Sequence, residues 1–325
     1  MLRASLLVSA LCSVGFLQAQ ALSLTGPVEG FSFDAPTGSF RAVIGSLGNA
    51  SLGPALVQGV DYGSVAPRQS HALSFQGGRC LVVPDLGSSQ MSTVELPGGF
   101  PIPEGVAWSG DGSVAILYSR TDNWIQTIRG LPLAAEAGPL WNVSLGGSLS
   151  AIAIDFDGKH IAIGVAGEIS GVFQIGDDLS SVPLLSLSKP VALAFSDDGS
   201  TLYALDGATG ELSELNMADL TSHAWALSGL GDAFLVRPAR DATHREVIYA
   251  AGTSGLVAYD ASSHEVIAQV ALSSQPTAIE ALGQDSYLLG PRSSGDQPLW
   301  SFTDAAQPVV YFVPATPLIP EDSGK

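Results

Sequence analysis

A strand–turn–strand unit that recurs every forty-odd residues, a turn-rich composition and short apolar runs of strand length predict an all-β chain. The predicted architecture is a β-propeller of seven four-stranded blades. The chain has 325 residues, with 37 Gly, 20 Pro and only 14% charged residues. Its 46% hydrophobic content is enough for a large buried core, so disorder is excluded.

The clearest unit is Pro190-Val-Ala-Leu-Ala-Phe-Ser-Asp-Asp-Gly-Ser-Thr-Leu-Tyr-Ala-Leu-Asp206. Val191 to Phe195 is apolar on both faces, as a strand between neighbours must be. Asp197-Asp198-Gly199 reads as the hairpin turn, because glycine tolerates the positive φ such turns need. Gly105–Tyr118, Ser150–Ile163 and His71–Val83 repeat the unit, and two degenerate copies follow. One runs from Ala233-Phe-Leu-Val236 back to Val247-Ile-Tyr-Ala250, the other from Thr277-Ala-Ile279 to Tyr287-Leu-Leu289. Near the N-terminus only a second half appears, Gly38 to Ile44. The turns then fall at Gly38, Gly78, Gly112, Gly158, Gly199, Asp241 and Gln284, spaced 34 to 46 residues apart. Two further strand-like runs separate successive units, such as Glu211–Asn216 and His223–Leu227. Four short strands at this period make a propeller blade. The first unit lacks its leading strand, and Pro308–Val313 is left over at the other end. The two ends are expected to combine in one blade and close the ring, which removes free sheet edges.

Residues 191–204, Val-Ala-Leu-Ala-Phe-Ser-Asp-Asp-Gly-Ser-Thr-Leu-Tyr-Ala, resemble the repeats of secreted bacterial YVTN-type and WD40-like β-propellers. The resemblance covers nearly all of the chain after residue 21. It implies the fold, and a range of functions that includes lactone hydrolases, cell-surface adhesion and assembly proteins. The tryptophan–aspartate dipeptide of WD40 repeats is absent from these blades.

Residues 1–21 read as a cleaved secretory signal: Arg3, an apolar run from Leu6 to Leu17, then Ala19-Gln20-Ala21. Residues 22–314 form the propeller domain and 315–325 a flexible Pro-rich tail. A secreted or periplasmic location in a bacterium follows, with no integral membrane segment in the mature chain. Lys+Arg is 13 against Asp+Glu 31, a formal charge of −18 that disfavours nucleic acid and anionic lipid as partners. Cys80 is left as a lone cysteine within an apolar strand, a small buried hydrophobe rather than a disulfide partner.

No motif specifies catalysis. Asp206-Gly-Ala-Thr-Gly210 resembles part of a quinoprotein propeller repeat, but Glu214 stands where the docking tryptophan would be. Asp155-Phe-Asp157-Gly158 starts like a calcium loop and lacks the later oxygen ligands. Ser186-Leu-Ser-Lys189 has the serine acyl-enzyme spacing on an extended segment, which separates the two side chains by roughly 10 Å. The five histidines show no ligand spacing. No catalytic residue, metal ligand or cofactor is therefore assigned.

Binding candidates sit in the loops expected to share one face of the ring: Tyr62, Arg68, Glu104, Arg120, Asp122, Trp124 and Arg292. Ser119-Arg-Thr-Asp-Asn-Trp124 is the richest, since Arg and Trp often anchor interfaces. The reading is an exported, monomeric, non-catalytic propeller that binds a protein, glycan or small ligand. The alternatives are a lactonase-like hydrolase using carboxylates at the channel mouth, and a cell-surface assembly component.

Overall fold

The computed structural model describes residues 26–241, 245–283, 285–292, 294–303 and 308–314. The leader and the tail from residue 315 lie outside them. Seven antiparallel sheets follow one another along the chain, over residues 28–58, 62–95, 105–142, 147–185, 190–226, 233–270 and 280–313. They are numbered here as blades 1 to 7. Within each sheet the strands pair in chain order, and the first strands of blades 2 to 7 line a central channel.

The propeller ring is closed by apolar packing. Seven clusters of buried side chains lie one between each pair of adjacent blades, including blades 7 and 1. Between blades 7 and 1, Val43, Ala50 and Leu52 meet Leu282, Leu288, Leu299 and Val313. The alternation of strand residues explains the clusters, because one face of each sheet packs against the blade before and the other against the blade after. In blade 5, Pro190–Phe195 pairs with Thr201–Asp206, with Phe195 opposite Leu202 and Leu193 opposite Ala204.

The turn chemistry repeats as the sequence predicts. In blade 3, Asp111 Oδ1 accepts from Ser109 Oγ (2.7 Å) and Ser113 N (2.9 Å), and Gly112 takes φ +77°. In blade 5, Asp198 Oδ1 accepts from Ser196 Oγ (2.8 Å) and Ser200 N (3.0 Å), and Gly199 takes φ +71°.

Two details differ from expectation. Gly38 and Gly78 turn between the second and third strands of their blades, not the first and second. His71–Val83 therefore covers Ala72–Gln76 and Arg79–Val83, the middle pair of blade 2. Gly77 and Gly78 both take positive φ, +54° and +76°, so their tight hairpin resembles an Asp-Gly turn in sequence. Second, the strand of residues 310–313 does not complete blade 1. It pairs with Leu299–Thr303 as the outer strand of blade 7.

Six sheets have four strands and blade 1 has three among the described residues. Its strands are Val28–Asp34, Ser39–Ile44 and Ser51–Gln58. The strand Val28–Asp34 begins beside the first turn of blade 7, where Ser286 Oγ donates to Glu29 Oε1 (2.8 Å). It packs on Tyr62–Val65 as Ile161–Gly167 packs on Pro190–Phe195 and Thr201–Asp206 on Ala233–Arg240, second strands on the next first strand. Among the described residues blade 1 thus supplies its second, third and fourth strands and no leading strand.

Candidate functional site

The central channel holds a cavity of about 350 Å³. Its wall mixes apolar side chains, such as Val106, Ala107, Ile152, Leu193 and Phe234, with polar surface that is the larger share of what it exposes. At one end it meets the first turns of the blades, at Pro67, Gly110, Phe156 and Asp197. Towards the other it meets Tyr118 and Arg120.

Two opposite charges interrupt this wall on neighbouring inner strands, Arg237 in blade 6 and Glu280 in blade 7. They form no ion pair with each other, and Arg237 Nε is buried without a hydrogen-bond partner. Solvent in the lumen reaches Glu280, yet protein surrounds it on every side. That enclosure pushes its pKa up, opposed by the Arg237 charge. The phenols of Tyr62 and Tyr118 are raised chiefly by burial, and both feel the Glu280 charge. A carboxyl, a guanidinium and the Tyr118 phenol therefore share one lumen. Such a set can hold a ligand's charged or polar groups while the apolar side chains among them contact its body.

The loop candidates have mostly structural surroundings. Tyr62 stacks on Phe75, with ring centroids 5.6 Å apart. Glu104 accepts from Arg120 N and Thr121 N, both at 3.0 Å, and from Ser119 Oγ. Hydrogen bonding from Thr121, the leading cause, holds its pKa at about 2. Asp122 Oδ2 lies 3.1 Å from Ser119 Oγ, so this carboxylate also braces the turn. Trp124 is buried and packs on Phe100 between blades. Arg292 is buried against Asp34 (3.3 Å) and joins blade 7 to blade 1. Arg120 is exposed above the Tyr118 ring and lines the channel. Arg68 lies over Phe156, in the first turn of blade 2, and so on the opposite face from Arg120.

The other motifs also resolve into structure. Asp206 accepts from Ser188 N, Lys189 N and Ala208 N, and so pins the link between blades 4 and 5. Cys80 is a buried free thiol whose pKa burial pushes up to about 12. Among the described residues, no three His, Cys, Asp or Glu side chains are grouped to hold a metal, and no histidine lines the cavity. His244 lies outside the described residues.

Sequence reasoning missed Arg237 and Glu280, although they carry a signal. Each directly follows the apolar run of a degenerate copy, Phe234-Leu-Val236 and Ala278-Ile279. The corresponding runs of intact copies stay apolar.

No protein-family profile and no curated protein matches the chain. Solved structures do. A functionally unknown protein from Desulfotomaculum acetoxidans DSM 771 superposes with TM-score 0.61 at 11% identity, over 88% of this chain and all of that one. A chain of the nidogen/laminin complex matches with TM-score 0.52 at 17% identity, over 75% of this chain and 93% of that one. U3-55K matches with TM-score 0.55 at 12% identity, over 78% and 80%. Likeness at these identities shows the fold: the chain is a seven-bladed β-propeller.

Proposed function

We propose that this propeller is an exported, non-catalytic binding module whose ligand site is the central channel. The observation that carries the reading is that Arg237, whose Nε is buried without a hydrogen-bond partner, and Glu280 face one cavity. A buried guanidinium Nε without a partner is costly until something pairs with it. A ligand with an apolar body, an anionic group for Arg237 and a donor for Glu280 meets that need. The volume of about 350 Å³ falls within the range of small-molecule sites, ~300–1,000 Å³. Export rests on residues 1–21, and the secreted bacterial repeat resemblance on residues 191–204. Among the described residues no helix is long and apolar enough to cross a membrane.

The test is thermal unfolding of residues 22–325 against amphipathic amino acids, dipeptides, carboxylates, sugars and lactones. A ligand at 100 times its Kd adds about 2.7 kcal/mol to the folded state. The expected result is a rise in Tm with at least one zwitterionic or carboxylate compound, lost in Arg237→Gln and Glu280→Gln. A shift that survives both substitutions places the site elsewhere. Glu280 also favours a second reading, lactone hydrolysis, because an enclosed carboxyl suits proton transfer. Turnover of a lactone that disappears in Glu280→Gln would replace the binding reading with that one.

A further inference from the structure

The lumen carries its charges in an order. Inner strands compare by height when counted from the residue whose N–H closes each first hairpin: Ser109, Asp241 and Leu282 in blades 3, 6 and 7. Arg237 stands four residues before Asp241, and Glu280 two before Leu282. Gly105, four before Ser109, pairs with Tyr118. Arg120 therefore lies two residues beyond the height of Arg237, toward its own mouth of the channel. From that mouth inward the order is guanidinium, guanidinium, carboxyl, in steps of about 7 Å along the strands. Neither guanidinium is ion-paired. Of the 13 Lys and Arg residues, eleven are described, and seven of these form ion pairs. Among the described residues Arg120 and Arg237 form none, in a chain with 31 acidic residues. Ser150 Oγ, on the inner strand of blade 4, is also buried without a partner and lines the same cavity. An unpaired guanidinium lining a cavity is a site for an incoming carboxylate, which it can bind through two parallel hydrogen bonds.

We propose, resting on the channel as the ligand site, that the ligand is an amino dicarboxylate, a compound with two carboxylates and one ammonium. The carboxylate remote from the ammonium meets Arg120 at the mouth. The other carboxylate meets Arg237, and the ammonium meets Glu280. The Ser150 hydroxyl supplies one more donor to a carboxylate. Charge is then matched group for group, negative, negative, positive against positive, positive, negative. An α-amino dicarboxylic acid has this order built in. Its ammonium and one carboxylate share a carbon, while the second carboxylate stands at the far end of the chain. The reach of the long Arg and Glu side chains takes up the difference in height between Arg237 and Glu280. A simple dicarboxylate leaves Glu280 without a partner, and an amino acid with an uncharged side chain leaves Arg120 without one. Each such loss forfeits a charge-assisted contact, which is how a polar site discriminates among ligands of similar size.

The test is titration calorimetry of residues 22–325 with glutamate and α-aminoadipate against analogues that lack one charge. Glutamine has lost the distal carboxylate, and glutarate has lost the ammonium. The amino dicarboxylates are expected to bind about ten-fold or more tightly than either analogue. Arg120→Gln, a change to an exposed side chain, should erase the preference for glutamate over glutamine. Glu280→Gln should erase the preference for glutamate over glutarate. Glutamine or glutarate binding as tightly as glutamate overturns the proposal. So does a preference over glutamine that survives Arg120→Gln. In both cases binding that Arg237→Gln abolishes leaves the channel standing as the ligand site, so the two failures are told apart. If no member of the series binds, the amino dicarboxylate is excluded, and the wider panel of compounds decides whether the channel takes a ligand of another class.

Discussion

Asp111 and Asp198 do one task in two blades, accepting the backbone and hydroxyl donors of a tight turn. Asp198 is held at about 2, first by Ser200 N–H. Its contribution to stability is therefore present above the unfolded carboxylate value of ~3.9 and lost as pH falls toward the folded value. Asp198→Ala should cost about 1 kcal/mol at neutral pH, read by denaturant unfolding. His71 acts in the same direction at higher pH. Its Nε2 lies 2.9 Å from Gly112 O, and burial lowers its pKa. As pH falls through the unfolded value of ~6.5, the unfolded chain takes up the proton first and stability declines. Stability measured from pH 8 to 5 should fall in the native chain and be flatter in His71→Gln. Such turn residues are legible in sequence because their chemistry is local. Arg237 and Glu280 are less so: only the folded ring brings blades 6 and 7 to one lumen.

Elements are legible where two strands and their turn are contiguous and apolar on both faces, as in Val191 to Tyr203. Register within a blade is harder to assign. Gly77-Gly78 and Asp198-Gly199 each place a glycine at positive φ, so sequence alone shifts blade 2 by one strand. Outer strands are weak signals because half of each faces water. Glu136–Asn142 and Ser181–Leu185 carry Pro139 and Pro183, which blunt an exposed edge. Stability is concentrated one layer in. Leu202 is fully buried between blades 4 and 5. Leu202→Ala should cost about 2–5 kcal/mol, read as a lower denaturant midpoint. A loss below 1 kcal/mol would mean that neighbouring blades collapse into the cavity.

At the scale of the whole molecule, seven apolar interfaces close the ring and leave a lumen that no single blade defines. The blade count follows from the period of about 43 residues, whereas the lumen charges come together only on closure. The surface is acidic, yet the channel sets one guanidinium and one carboxyl on neighbouring inner strands. That contrast is the basis for placing the ligand inside. The most direct test is a crystal structure of residues 22–325 soaked with the compound that raises Tm most. Density between Arg237 and Glu280, absent after soaking Arg237→Gln, is the expected result. Density confined to the outer blade surfaces, with an unchanged channel, would contradict it.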